Sequence, residues 1–167
     1  VARIIVFDSD PAGLACHDPG NRDGSELRQW MYKQWADGAI IVIPAIIDYE
    51  VRRELNRKRS SDALKRLDLL YARFVRYLPI SQAAMNRAAG LWAEARMPGR
   101  ANPTADDRGL DGDVILSAQA LEFCSDSDDW QIVTENVDHI ARYVGERAQS
   151  RRDVVNHWLN SRGSILS

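Results

Sequence analysis

Short uninterrupted apolar runs alternate along this chain with longer stretches in which apolar side chains return every three or four residues. The first run, Arg3–Phe7, reads as a buried strand, and it ends at a carboxylate, Asp8. Pro11, Gly13, Pro19, Gly20 and Gly24 then punctuate a loop. Ser25 is placed to cap a helix reaching about Asp37, with Leu27, Trp30 and Met31 on related faces. Ala39–Ile43 restores the strand pattern. Pro44 suits a helix start, and Ile46, Ile47, Val51 and Leu55 form that helix's apolar stripe, with Glu50 about two turns in.

Ser60 or Ser61 caps a further helix carrying Leu64, Leu67, Leu70 and Tyr71, followed by a strand at Phe74–Leu78 and a helix from Ser81 to about Met97. The polar stretch Pro98–Gly109 marks a surface loop. Helix resumes near Asp111 with Val114, Ala118, Ala120 and Leu121, and Trp130–Val133 forms a fourth strand ending at Thr134. Beyond Tyr143 the apolar set Val154, Val155, Trp158 and Leu159 fits a helix or a short strand, and the last residues fray. Strands alternating with helices predict a three-layer α/β/α fold around a central, mostly parallel sheet of four to five strands.

Composition narrows the classes. With 167 residues, 45% hydrophobic and 28% charged, the chain fits one domain, residues 1–167, with a packed core. Apolar runs such as Ile40–Ile43 fall far below the roughly 20 residues of a membrane span, and no secretory leader pattern opens the sequence, so a cytoplasmic location is expected. Cys16 and Cys124 show neither zinc spacing nor a disulfide framework. A net charge of −2 argues against holding nucleic acid by overall charge, yet only three of the 22 basic residues are lysines, which leaves 19 arginines, the side chain suited to phosphate.

Candidate chemistry follows from topology. Ligands of open parallel sheets collect at the carboxyl ends of strands, where Asp8 and Thr134 both fall. Helices starting at that edge from Pro44 and Asp111 bring Glu50 and Asp113 toward it. Crowded carboxylates raise one another's pKa, and a divalent cation relieves the crowding. An all-oxygen donor set selects Mg²⁺, with Mn²⁺ as the substitute, over zinc.

Four ordered segments resemble the PIN-domain nucleases, a family that includes the VapC-like toxins of bacterial toxin–antitoxin pairs. The strand ending in Asp8-Ser9 resembles the opening acid motif. Ile43-Pro44-Ala45 through Tyr49-Glu50-Val51-Arg52-Arg53-Glu54-Leu55 resembles the helix with the second acid, and Asp113-Val114-Ile115-Leu116-Ser117-Ala118 the third-acid helix. Val133-Thr134-Glu135-Asn136-Val137-Asp138-His139-Ile140 is similar to the closing Thr-x-Asn-x-x-His segment. The resemblance implies a Mg²⁺-dependent ribonuclease hydrolysing RNA phosphodiester bonds, the toxin of a toxin–antitoxin pair, with an antitoxin partner and a homodimeric state. Asp8, Glu50 and Asp113 become metal-binding acids. Ser9, Thr134 and Asn136 fix carboxylate rotamers or hold a phosphate oxygen, and Asp111 lies close behind. Two departures stand out. Asp10-Pro11-Ala12-Gly13 follows where Asn and an aliphatic residue usually stand, and Asn136 replaces a frequent acid, which passes the fourth-acid role to Asp138.

Other readings stay open. Asp8 and Asp111 are also placed as helix caps, and the basic run holding Arg52, Arg53 and Arg57 serves either as a solvated helix end or as a contact for RNA or an antitoxin. Trp30, Trp35 and Trp92 suit core or dimer contacts better than base stacking, and His139 is read as a packing or hydrogen-bonding residue and not as a proton shuttle. Ile4–Asp10 also resembles the haloacid-dehalogenase-like phosphatases, where Asp8 would be a covalent nucleophile. Pro11 after Asp10, the lack of any lysine after Lys65, and Ser117 where an acid is expected oppose that reading. A binding module on a PIN-like fold, without turnover, is the remaining alternative.

Overall fold

The computed structural model describes residues 1–97 and 107–163. The elements run β1 (Arg3–Phe7), α1 (Ser9–Ala15), α2 (Arg22–Ala36), β2 (Ile40–Pro44), α3 (Ala45–Arg57), α4 (Ser61–Arg73), β3 (Val75–Leu78) and α5 (Gln82–Ala95). They continue with α6 (Asp107–Phe123), β4 (Asp129–Thr134), α7 (Val137–Val144), β5 (Ala148–Ser150) and α8 (Arg151–Gly163). All five strands are parallel, in the order β3-β2-β1-β4-β5. Ile4, Ile5, Val6 and Phe7 are all buried, and so are Ile41, Val42 and Ile43, so both faces of the central strands are covered by helices in a three-layer α/β/α arrangement.

Three predicted boundaries are corrected. The stretch after Asp8, expected as loop, holds α1; Pro11 falls within its first turn, where the missing N–H would have had no helical partner. Helix α2 starts at Arg22, and its cap is Asn21, which accepts from the Gly24 amide at 2.7 Å, in place of Ser25. Helix α6 begins at Asp107, ahead of Asp111, and the rest of the expected Pro98–Gly109 loop lies outside the described residues. The segment beyond Tyr143 resolves into both forms proposed for it, a three-residue strand and then a helix.

Strand order creates the site. From β1 the chain steps to β2 and β3 on one side, then crosses to β4 and β5 on the other, so the neighbours β1 and β4 part their connections in opposite directions and leave a crevice at their carboxyl ends. Phe7 is in register with Val133, which sets the next residues, Asp8 and Thr134, side by side. The four buried apolar residues of β1 contribute about 6–12 kcal/mol of gross burial, more than the several kcal/mol needed to desolvate one carboxylate, so the strand can hold Asp8 in a buried position. Buried Gln119 of α6 ties the same edge together: its Nε2 donates to the Leu78 carbonyl at 3.0 Å, and its Oε1 accepts from the Ile46 amide at 3.4 Å.

Candidate active site

Asp8 leaves β1 as its backbone turns into α1, and its carboxylate serves two neighbours. Oδ1 accepts from the Ser9 amide at 2.6 Å and from Ser9 Oγ at 3.3 Å, capping α1, while Oδ2 accepts from Thr134 Oγ1 at 2.6 Å. The Thr134 hydroxyl in turn accepts from the Asn136 amide at 2.8 Å. The cap reading of Asp8 therefore holds, and the same side chain is tied to the end of β4. With both oxygens held by donors, its rotamer is fixed.

Glu50 approaches from α3. Gly112 of α6 makes room for it, because a Cβ at that position would land on Glu50 Oε1. Burial first, then the charge of Asp8, raises the Glu50 pKa, against lowering by Arg53 and by a hydrogen bond with Ser9. Asp113, the next residue on α6, accepts from Asn136 Nδ2 at 3.2 Å through Oδ2, and His139 Nδ1 stands 3.7 Å from the same oxygen. Burial, followed by the charges of Asp8 and Glu50, pushes Asp113 up to about 7, with Arg142 opposing. Three acids from β1, α3 and α6 thus sense one another's charge at the mouth of the β1/β4 crevice.

The structure brings together Asp8, Ser9, Glu50, Asp113, Thr134 and Asn136 through hydrogen bonds or mutual charge. Asp111 is exposed, and among the described residues no side-chain hydrogen bond joins it to the cluster. Asp138 is exposed in the first turn of α7, where a carboxylate suits the helix dipole, and no hydrogen bond or ion pair joins it to the acids. The Asn136 amide reaches Asp113 instead.

In the basic run, Arg52 is engaged inside the chain, with Nε and Nη2 each 3.1 Å from Asp48 and further bonds to Asp68 of α4. Arg57 pairs with Glu54, while Arg53 lies exposed over the Tyr49 ring at 5.3 Å, the member of the run nearest in effect to Glu50. Trp30 is core, whereas Trp35 and Trp92 are exposed.

Sequence reasoning missed Gly112, Arg142, and an ion-pair network in which Arg151 Nε donates to Asp10 Oδ2 at 2.7 Å and stands 3.6 Å from Glu135. A glycine directly before an acid on an otherwise apolar helix was the available signal for Gly112. Nothing in the sequence pairs Arg151 with Asp10, 141 positions away.

No protein-family model and no curated protein sequence matches the chain. Solved structures do match. VapBC2 from Rickettsia felis, bound to a DNA fragment from their promoter, superposes with a TM-score of 0.65 at 15% identity, over 88% of this chain and 98% of that one. DNA-bound VapBC from Salmonella typhimurium gives 0.59 at 13% identity, over 90% and 99%. The fold is PIN-like.

Within this PIN-like fold, the acids meet the chemical demand of a hard divalent cation but do not form a closed cage. Among the described residues no three Asp, Glu, His or Cys side chains converge, as they stand, closely enough to share one ion. Mg²⁺ does not require such a cage, since it keeps several waters and is usually bound through one or two carboxylates plus substrate phosphate. Mutual carboxylate repulsion and an all-oxygen donor set fit that ion. No helix among the described residues is long and apolar enough to cross a membrane.

Proposed function

We propose that the protein is a divalent-metal-dependent endoribonuclease and the toxin member of a toxin–antitoxin pair. The observation that carries this reading is the placing of Asp8, Glu50 and Asp113 at the switch point of a PIN-like sheet, near enough to feel one another's charge, with Asp113 pushed up to about 7 by burial and by the other two acids. Likeness of fold to structures of VapBC complexes supports an antitoxin as partner, and the RNA substrate and a homodimeric state belong to the same reading. Asp8 and Asp113 would hold Mg²⁺ or Mn²⁺, with Glu50 binding it directly or through water. The ion supplies a water of lowered pKa and stabilises charge on phosphate oxygens. The chain's own residues do the rest. Thr134 and Ser9 hold the Asp8 carboxylate in one rotamer, Asn136 orients Asp113, and Arg53 and Arg142 flank the acids as cations for the RNA backbone.

A phosphatase of the haloacid-dehalogenase type would need Asp10 free to exchange a proton, but Asp10 is held by Arg151. The open spacing of the acids favours the alternative of a binding module without turnover. One experiment separates these readings. A panel of structured and single-stranded RNAs is incubated with Mg²⁺ or with EDTA, using the parent chain and folded Asp8→Asn and Asp113→Asn variants. Cleavage abolished by EDTA and by both substitutions supports the nuclease; RNA that is bound but intact supports the module; hydrolysis of a generic phosphomonoester alone would return the phosphatase.

A further inference from the structure

Arg151 begins α8 immediately after Ser150, and Ser150 is in register with Thr134 on the neighbouring strand. Its side chain is 9% exposed, and it extends from the end of β5 past the end of β4 to Asp10, just beyond the end of β1. Nε donates to Asp10 Oδ2 at 2.7 Å and lies 3.6 Å from Glu135 Oε1. Glu135 is fastened a second time, accepting from the Arg152 amide at 3.2 Å and pairing with the Arg152 guanidinium at 3.3 Å. One buried cation therefore grips both segments that carry the site. Asp10 lies two residues after Asp8, and Glu135 lies between Thr134 and Asn136.

Burial makes this grip more than surface decoration. An exposed ion pair is worth little, whereas a nearly buried guanidinium that loses its partner is strongly disfavoured, so the pair resists separation. The two segments it joins also meet in the 2.6 Å bond from Thr134 to Asp8. We infer that Arg151 is a positioning residue for the acid site, a strut across the β5, β4 and β1 ends that keeps Thr134 on Asp8 and Asn136 on Asp113. This rests on reading those acids as a divalent-cation site, and it assigns a role there to the C-terminal helix.

Removing an orienting partner behind a metal ligand typically costs about 10- to 100-fold in metal affinity or activity. The test uses the full chain, Mn²⁺ as the probe, and two variants, Arg151→Met and Asp10→Asn; the second removes a charge from a partly exposed side chain and spares the fold if the first does not. Two readouts are followed: Mn²⁺ affinity from the loss of its free electron-resonance signal, and, without metal, hydrogen exchange at the Asn136 amide, which donates to Thr134 Oγ1.

The expected result is Mn²⁺ affinity lowered about tenfold or more and Asn136 exchange accelerated, with Asp10→Asn unfolding cooperatively but at a lower midpoint than the parent, since Arg151 loses its nearest carboxylate. On RNA, kcat should fall while KM holds. Affinity within twofold of the parent together with unchanged exchange, in whichever variants fold, would overturn the strut. If the parent binds no Mn²⁺, exchange alone decides. Should RNA stay intact while Mn²⁺ affinity still drops in the variants, the strut stands and the nuclease reading fails.

Discussion

The missing side chain at Gly112 leaves the space that Glu50 Oε1 occupies, and a Cβ there would make the Glu50 carboxylate move aside. An alanine within a helix ordinarily gains about 0.5–1 kcal/mol over glycine, but here its methyl would occupy the place of Glu50 Oε1. Gly112→Ala is therefore expected to leave the melting temperature equal to or above the parent's while RNA cleavage drops about tenfold or more, a loss of some 1.4 kcal/mol in the barrier. Melting curves and kcat on the same preparation check this, and a variant that keeps full activity would show that Glu50 has another place to go. Thr134→Val makes the opposite test. It keeps the shape and removes the donor to a buried carboxylate, so a stability loss of about 1–3 kcal/mol is expected in urea unfolding, together with weakened metal binding.

At the scale of elements, β1, β2 and β4 were legible because each is a short, largely apolar run, the signal of a strand in the buried middle of a sheet, whereas the edge strand β3 showed in the β-prone residues Val75 and Tyr77. Helix α1 was not legible. Its Pro11 and Gly13 are the residues that mark loops, and a helix of seven residues has no room to display periodicity before it ends. The cap of α2 was misplaced for a similar reason: Asn21 and Ser25 are both good caps, and only the observed bond to the Gly24 amide separates them. Asn21→Ala should cost about 0.5–2 kcal/mol in unfolding free energy, and Ser25→Ala distinctly less. Equal losses would return the helix start to Ser25. That Asp8, Glu50 and Asp113 would lie near one another was readable because each sits on an element with a predictable strand end or helix start. Arg151 was invisible, since its partners are fixed by the order of strands in space and leave no mark on local spacing.

For the molecule as a whole, the acid cluster ties stability to pH and to cations. Asp113 titrates ordinarily at 3.8 and in the fold at about 7, so the stability it allows is fully present below the ordinary value and is lost as pH rises through about 7; Glu50 is raised in the same direction. In EDTA, Asp113→Asn should therefore match the parent near pH 4 and exceed it in melting temperature near pH 8, and Mg²⁺ should close the gap by raising the parent alone. A gap that does not change with pH would mean that the acids do not repel one another as described.

The distance along the chain between Asp8 and Thr134 also sets a clock. The two are 126 positions apart, so at a synthesis rate of about 5–20 residues per second, roughly 6–25 s separate the appearance of the first acid from that of the hydroxyl that fixes it. Arg151 arrives later still. An unfinished chain on the ribosome therefore carries acids without the contacts that organise them, and a nuclease built this way would stay harmless to the messenger encoding it until the helix that carries Arg151 is made.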